Sequence, residues 1–299
     1  MTGPYHHGSL AVQTRVGVRD LADHVGRSIG PGIRPVAAAF LELQPMLVIG
    51  AADRDGRVFG SLLTGRPGFV RATGPTSVSV TGGVPEGDPL AGVLGPGGPP
   101  AGTPVGTIAL DPRTRRRMRL GGTARPTPRG LAIEADRVFS NCPKYLQRRE
   151  LYAPAPATTP VTVRSGARMT PAQADFVRDA DTFFIATVAP GHGADASHRG
   201  GNPGFVTVTS PTTLSWPDYP GNAMFLTLGN LEADARAGLL FLDWTTGTTL
   251  QLTGTARARY AGPERTVHFT ADAVVETRGA NLLRWSPPDY SPANPAVPH

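Results

Sequence analysis

The chain repeats itself, and that constrains its fold more than any other feature. At a spacing of 136 residues Pro35 matches Pro171, Phe40 matches Phe176, Ile49 matches Ile185 and Ser61 matches Ser197, and Pro67–Val70 falls on Pro203–Val206. After a loop four residues longer in the first copy the spacing becomes 132, which sets Leu110-Asp111 on Leu242-Asp243 and Gly122–Arg125 on Gly254–Arg257. It returns to 136 at Ala135-Asp136 and Ala271-Asp272. Proline and glycine punctuate chain direction, so their conservation in order between copies implies one topology used twice. The organisation expected is an N-terminal arm (1–32), a first half (33–151), a linker (152–160) and a second half (161–299).

Each copy has the same plan of elements. A short helix opens on a proline at its first position, Pro35 or Pro171, where the missing N–H costs nothing. Thr170-Pro-Ala-Gln173 adds a capping box. An apolar strand follows, Met46–Ala52 or Phe183–Val188, then a second strand ending at the Ser61 or Ser197 corner, then three or four more. With 37 glycines and 31 prolines in 299 residues, short strands and turns are favoured over long helices. The fold expected is mainly β: a small closed barrel with a few short helices in each half, which leaves no sheet edge exposed. In the arm, Val18, Leu21, Val25 and Ile29 have helical spacing, and an arm packed on the body is expected. His6-His7 lacks neighbouring carboxylates or cysteines in a ligand pattern, so no metal is assigned.

The chemistry concentrates in Asp195-Ala-Ser-His-Arg-Gly-Gly-Asn-Pro-Gly-Phe205 and Leu214–Leu231. Ser197 and Arg199 are two apart on a strand and share a face. Behind them lie the Gly200-Gly201 backbone and a short apolar helix expected to open near Asn222. A hydroxyl, a guanidinium, free N–H groups and a helix N-terminus suit an anionic group such as a phosphate. They suit a polar barrel corner equally well.

These blocks, with Gly238-Leu-Leu-Phe-Leu-Asp-Trp244 and Phe139-Ser-Asn-Cys-Pro-Lys-Tyr-Leu-Gln-Arg-Arg149, resemble the pyridoxamine 5'-phosphate oxidase-related family of flavin-binding split barrels, in its two-lobed form. The resemblance implies tandem FMN-binding split barrels forming an intrachain pseudo-dimer, and an FMN-dependent oxidoreductase acting on a small molecule with an electron donor or acceptor. It implies a cofactor site built from Ser197, His198, Arg199, Gly200 and Gly201, with Asn222, Met224 and Asn230 along the turn and helix. Asn141, Lys144, Tyr145, Gln147 and Arg148 would complete it from the first half. Split barrels also hold haem or deazaflavin, and a non-catalytic flavin-binding module is a third reading.

The copies differ where this chemistry lies. Ser197-His-Arg-Gly-Gly201 faces Ser61-Leu-Leu-Thr-Gly65, and Asn141-Cys-Pro-Lys-Tyr145 faces Thr277-Arg-Gly-Ala-Asn281. Fusion frees two copies from the symmetry a homodimer imposes, so one composite cofactor site per chain is expected, in a monomer with pseudo-dimeric halves or a homodimer of such chains. Lys144 is the only lysine in a chain of net charge +6. The dense run Arg113–Arg119 aligns with Thr245–Gln251, a hairpin, and alternation turns Arg117 and Arg119 outward. Without aromatic interleaving it reads as a solvated hairpin and not as a nucleic-acid contact. A single cysteine, Cys142, no apolar run behind a basic start and no span-length apolar stretch fit a cytoplasmic protein without a membrane segment.

Overall fold

The computed structural model describes residues 3–140, 143–152 and 161–297. Asn141, Cys142 and most of the expected linker lie outside them. The arm carries α1 (His7–Val16) and α2 (Arg19–Gly26). The first half runs α3 (Pro35–Glu42), β1 (Met46–Ala52), β2 (Val58–Thr64), β3 (Val70–Ala72), β4 (Ser77–Thr81), α4 (Ala91–Leu94), β5 (Thr103–Asp111), β6 (Arg116–Thr127) and β7 (Gly130–Ser140). A strand β8 (Thr162–Gly166) leads into the second half. There α5 (Pro171–Asp179), β9 (Thr182–Ala189), β10 (Gly193–Gly200), β11 (Thr207–Ser210), β12 (Thr213–Pro217), α6 (Leu226–Ala233), β13 (Arg236–Leu242), β14 (Thr249–Ala261) and β15 (Glu264–Arg278) follow in the same order.

The two sheets have one topology. The first is β2-β1-β5-β6-β7-β4-β3 and the second β10-β9-β13-β14-β15-β12-β11, with β8 added on β15. Register repeats too: Ile49 faces Ser61 as Ile185 faces Ser197, and both long hairpins slip by one residue at matched places, Gly121/Gly122 and Thr253/Gly254. Among the described residues the end strands β2 and β3, and likewise β10 and β11, do not pair with each other. Each lobe is therefore a split barrel, where strand count alone suggested a closed one.

What the split exposes, the other lobe covers. β1 is buried along nearly its whole length. Leu47, Ile49 and Ala51 point into the first lobe's core, while Met46 and Val48 join Ile108, Leu110, Phe184, Ala196, Leu240 and Leu242 in a core between the lobes. A strand apolar on both faces is what two-sided burial requires. Full burial of each such side chain stabilises by about 1.5–3 kcal/mol, enough in sum to hold the halves as one body. Matched glycines allow the approach. A Cβ on Gly106 in β5 would collide with the backbone of Asp195 and Ala196, and one on Gly238 in β13 with that of Val58 and Phe59. Those are equivalent crossings, so a pseudo-two-fold axis relates the lobes.

The arm crosses to the second lobe. Val12 enters that lobe's core, Gln13 Nε2 donates to the Met224 carbonyl at 2.9 Å and Arg15 pairs with Glu232 at 2.8 Å. His6 caps α1, its Nδ1 accepting from Gly8 N at 3.2 Å, with Nε2 2.8 Å from Asn230 Oδ1. No helix among the described residues is long and apolar enough to cross a membrane.

Candidate functional site

A cleft opens where β10 crosses β6 of the other lobe. From the second lobe it is lined by Ser197, His198, Arg199, Gly200, Asp218, Tyr219, Asn222 and Phe225–Leu228; from the first by Arg117, Arg119, Lys144 and Tyr145. Four cationic side chains and one carboxylate, Asp218, therefore line it, and of the four Arg119 is paired with Asp195 behind the wall. Such an excess in a half-enclosed space attracts an anion.

Strand alternation sorts the residues of β10. Arg199 Nη1 donates to Ser197 Oγ at 2.8 Å and to the His198 carbonyl at 3.1 Å, and Nη2 lies 3.8 Å from Asp218 Oδ1. Asp218 is committed mainly to Arg265, whose Nε donates at 2.9 Å. Burial pushes the Arg199 guanidinium below its usual value, with Asp218 opposing, but an arginine keeps its charge regardless. His198 turns to the first lobe, where its Nδ1 accepts from Arg117 Nη1 at 2.8 Å. An arginine can only donate, so a neutral His198 carries its proton on Nε2. Burial first, then Arg117 and Arg199, hold its pKa well below the usual histidine range. Arg119 is 5% exposed and pairs with Asp195, which also accepts from Thr227 Oγ1 of α6 at 3.3 Å.

The far wall is strained and uncapped. Ala223 and Phe225 adopt left-handed backbone at φ 61° and 53°, a conformation that costs a side-chain-bearing residue on the order of 1 kcal/mol and collects at binding sites. Phe225 is the residue before α6 and gives it no side-chain cap; the first turn, Leu226–Leu228, lines the cleft, and the first N–H groups of a helix have no partner within it. Asn222 folds back, its Oδ1 accepting from Met224 N at 3.2 Å. The helix begins at Leu226 and not near Asn222, because the left-handed residues interrupt it. At the mouth the Tyr145 and Tyr219 rings lie 5.2 Å apart, and Tyr145 donates to the Pro220 carbonyl at 2.9 Å, joining the halves.

The decisive feature is a set of unanswered donors. Arg119 Nε, Arg199 Nε, His198 Nε2 and Asn222 Nδ2 are buried and have no hydrogen-bond partner among the described residues. Buried polar groups rarely go unpaired, and four such donors on residues that line one cationic cleft fit an acceptor-rich anionic ligand. Apolar surface from Phe205, Pro217, Phe225 and Leu226 suits a flat, partly apolar body attached to it.

Seven residues anticipated from sequence meet here: Ser197, His198, Arg199, Gly200, Asn222, Lys144 and Tyr145. Others are placed elsewhere. Gln147 is a buried clamp, its Nε2 donating to the Gly201 carbonyl at 3.1 Å and its Oε1 accepting from Ser291 N at 2.9 Å. That uses Gly201 in the tie between halves, packed on Phe205. Arg148 is exposed and pairs with Glu150 at 2.8 Å. Met224 packs with Tyr5, Ala22 and Phe139 under the arm, and Asn230 bonds His6 and, through Nδ2, Thr187 Oγ1 at 2.9 Å. Asn141 lies outside the described residues. Arg117 and Arg119, which the hairpin pattern turns towards solvent, are instead the cleft's first-lobe wall. They do point out of their own barrel, but that face is covered by the other lobe. The only signal for this was the duplication, which sets Arg119 on another polar residue, Gln251.

Residues 169–296 match the family model described as Pyridoxamine 5'-phosphate oxidase. This bears out the resemblance across the half that carries the Ser197 corner. Among curated proteins, no sequence matches the chain. Similar solved structures include an FAD-binding protein of Mesorhizobium loti (9% identity, 39% of this chain and 99% of that one, TM-score 0.29). An FAD-binding protein of Mycobacterium smegmatis is similar at 12% identity over 40% and 98% of the two chains, TM-score 0.28. A Clostridium acetobutylicum protein related to general stress protein 26 of B. subtilis, of the pyridoxinephosphate oxidase family, shares 14% identity over 36% and 87%, TM-score 0.28. Scores this low carry no inference about the ligand of this chain.

Proposed function

We propose that this chain, whose residues 169–296 match the pyridoxamine 5'-phosphate oxidase family, is a flavin-binding split-barrel oxidoreductase with one FMN per chain, held in the composite cleft. The observation that carries this reading is the set of buried donors, unpartnered among the described residues, that residues of both lobes bring to one cationic, partly apolar space. When bound, the flavin supplies hydride or electron transfer at its ring, and the protein supplies orientation and electrostatics. Arg199 and Arg119 answer the charge of a phosphate, and the uncapped start of α6 adds N–H groups. His198 stays neutral and offers Nε2–H as a fixed donor, so it holds a proton in place and does not relay one. Tyr145, Tyr219 and Phe225 narrow the mouth and limit water. A small-molecule substrate and an electron donor or acceptor complete the reading, and no second copy of the chain is needed to complete the cleft.

The test is the absorbance of the purified protein together with Arg199→Ala. Flavin bands in the blue are expected for the wild type. The variant should lose about ten- to a hundredfold in affinity, the roughly 1.5–3 kcal/mol of a charge-assisted hydrogen bond, and purify largely without chromophore while melting normally. A strong violet haem band would replace this reading, and undiminished flavin in the variant would place the phosphate elsewhere.

A further inference from the structure

The fold is duplicated but the cleft is not, and the position of the missing one is occupied by the chain itself. Across the pseudo-two-fold axis Ser61 on β2 stands where Ser197 stands on β10, opposite Ile49 as Ser197 is opposite Ile185. Gln251 on β14 stands where Arg119 stands on β6, facing Leu240 as Arg119 faces Ile108. α4 lies between the fourth and fifth strands of its lobe, as α6 does. Leu62 and Thr249 replace His198 and Arg117.

Where these elements converge lies the carboxylate of Asp88. Its Oδ1 accepts from Ser61 Oγ at 2.7 Å and from Leu90 N, at the start of α4, at 2.8 Å; its Oδ2 accepts from Gln251 Nε2 at 3.2 Å. Each donor corresponds to a feature of the open cleft: the Ser197 hydroxyl, the Arg119 side chain, the uncapped start of α6. Asp88 is carried on the loop that is four residues longer in the first copy, so extra chain is what brings the carboxylate in. The residual hollow is lined by Leu62, Pro85, Glu86, Thr249 and Gln251 and holds neither arginine nor lysine.

We propose that the first half retains a second anion site, pseudo-symmetric to the open cleft, which Asp88 fills as an intramolecular ligand and so keeps closed. A carboxylate tethered by its own backbone has a high effective concentration at the site and excludes any free phosphate or carboxylate of similar size. With glutamine in place of arginine, no cationic side chain among the described residues pairs with it. That agrees with burial pushing the Asp88 carboxyl up from its usual range while Ser61, Leu90 and Gln251 pull it down.

The proposal is tested on the full chain with inorganic phosphate as probe, independently of whether a flavin binds. Equilibrium dialysis of Asp88→Gly combined with Gln251→Arg is expected to show one more orthophosphate per chain than wild type, whatever the wild-type number. Gln251→Arg alone, with Asp88 in place, is expected to add no phosphate and to raise Tm by several degrees, because its guanidinium meets the buried carboxylate. An unchanged phosphate count in a folded double variant overturns the proposal. A lowered Tm in the single variant overturns it as well, and that measurement decides if the double variant does not fold.

Discussion

At the scale of single residues the cleft is a place where charge is held against its preference. His198 meets Arg117 from β6, Arg199 on its own strand and the edge of Phe184 from β9, with no carboxylate among the described residues to favour its proton. The unfolded chain takes up a proton on this imidazole near pH 6.5, whereas the folded chain refuses it until far lower. Below about pH 6.5 the unfolded state therefore binds more protons and stability falls with pH down to the folded pKa. His198→Gln keeps an acceptor for Arg117 without a titration. Its Tm should drop less than that of the wild type between pH 7 and pH 5. Equal drops would show that His198 protonates freely in the folded protein. Arg119 gives the residue-scale lesson in legibility. Alternation set its direction correctly, and the inference to solvent failed because direction out of a barrel is not direction into water when a second barrel lies there.

At the scale of elements, the strands were readable because their constraints are local. Proline starts, the capping box at Thr170 and Gln173, and apolar runs between turn residues each fix a short piece of backbone. The corner Pro203-Gly204-Phe205 is one of these. Gly204 sits at φ 89°, matched by Gly68 at 94°, in the region a β-branched side chain avoids. Gly204→Val should cost about 1–3 kcal/mol through backbone strain, since the nearest atom to an added Cβ, on Val297, is 3.5 Å away and leaves room for it. Denaturant melts of the variant and wild type would show it, and coincident midpoints would mean the corner relaxes. Helices were read less well. α6 is buried on nearly every side, so it has no polar stripe to betray its period, and its start depends on the left-handed turn before it. α1 is rich in small and polar residues and gains its order from packing on α6, a contact between positions more than 200 residues apart that no local pattern encodes.

At the scale of the whole molecule, duplication told that there are two barrels but not which faces meet, and the candidate cleft belongs to the meeting. Loss of signature residues in opposite copies was the trace of it. The composite reading makes a quantitative expectation: calorimetric titration should give one flavin per chain. Lys144 is exposed at the mouth, so Lys144→Ala should weaken binding about two- to fivefold, the scale of a screened surface charge, while leaving Tm unchanged. Two flavins per chain would show that each lobe has a site of its own.

The apolar core between the lobes also has a history during synthesis. Met46, Val48, Ile108 and Leu110 belong to strands made early, and the partners that cover them, Phe184, Leu240 and Leu242, are made 74 to 196 residues later. At cellular elongation speeds that interval is on the order of ten seconds, during which the first barrel can close around its own centre yet must carry a bare greasy flank. The nascent chain is then a client for whatever holds such surfaces apart on the ribosome, and crowding of neighbouring polysomes offers it the wrong flank of another copy. Its cleft comes into being only when the last strands arrive, so acquiring a ligand there would mark the moment when the chain no longer needs a guardian.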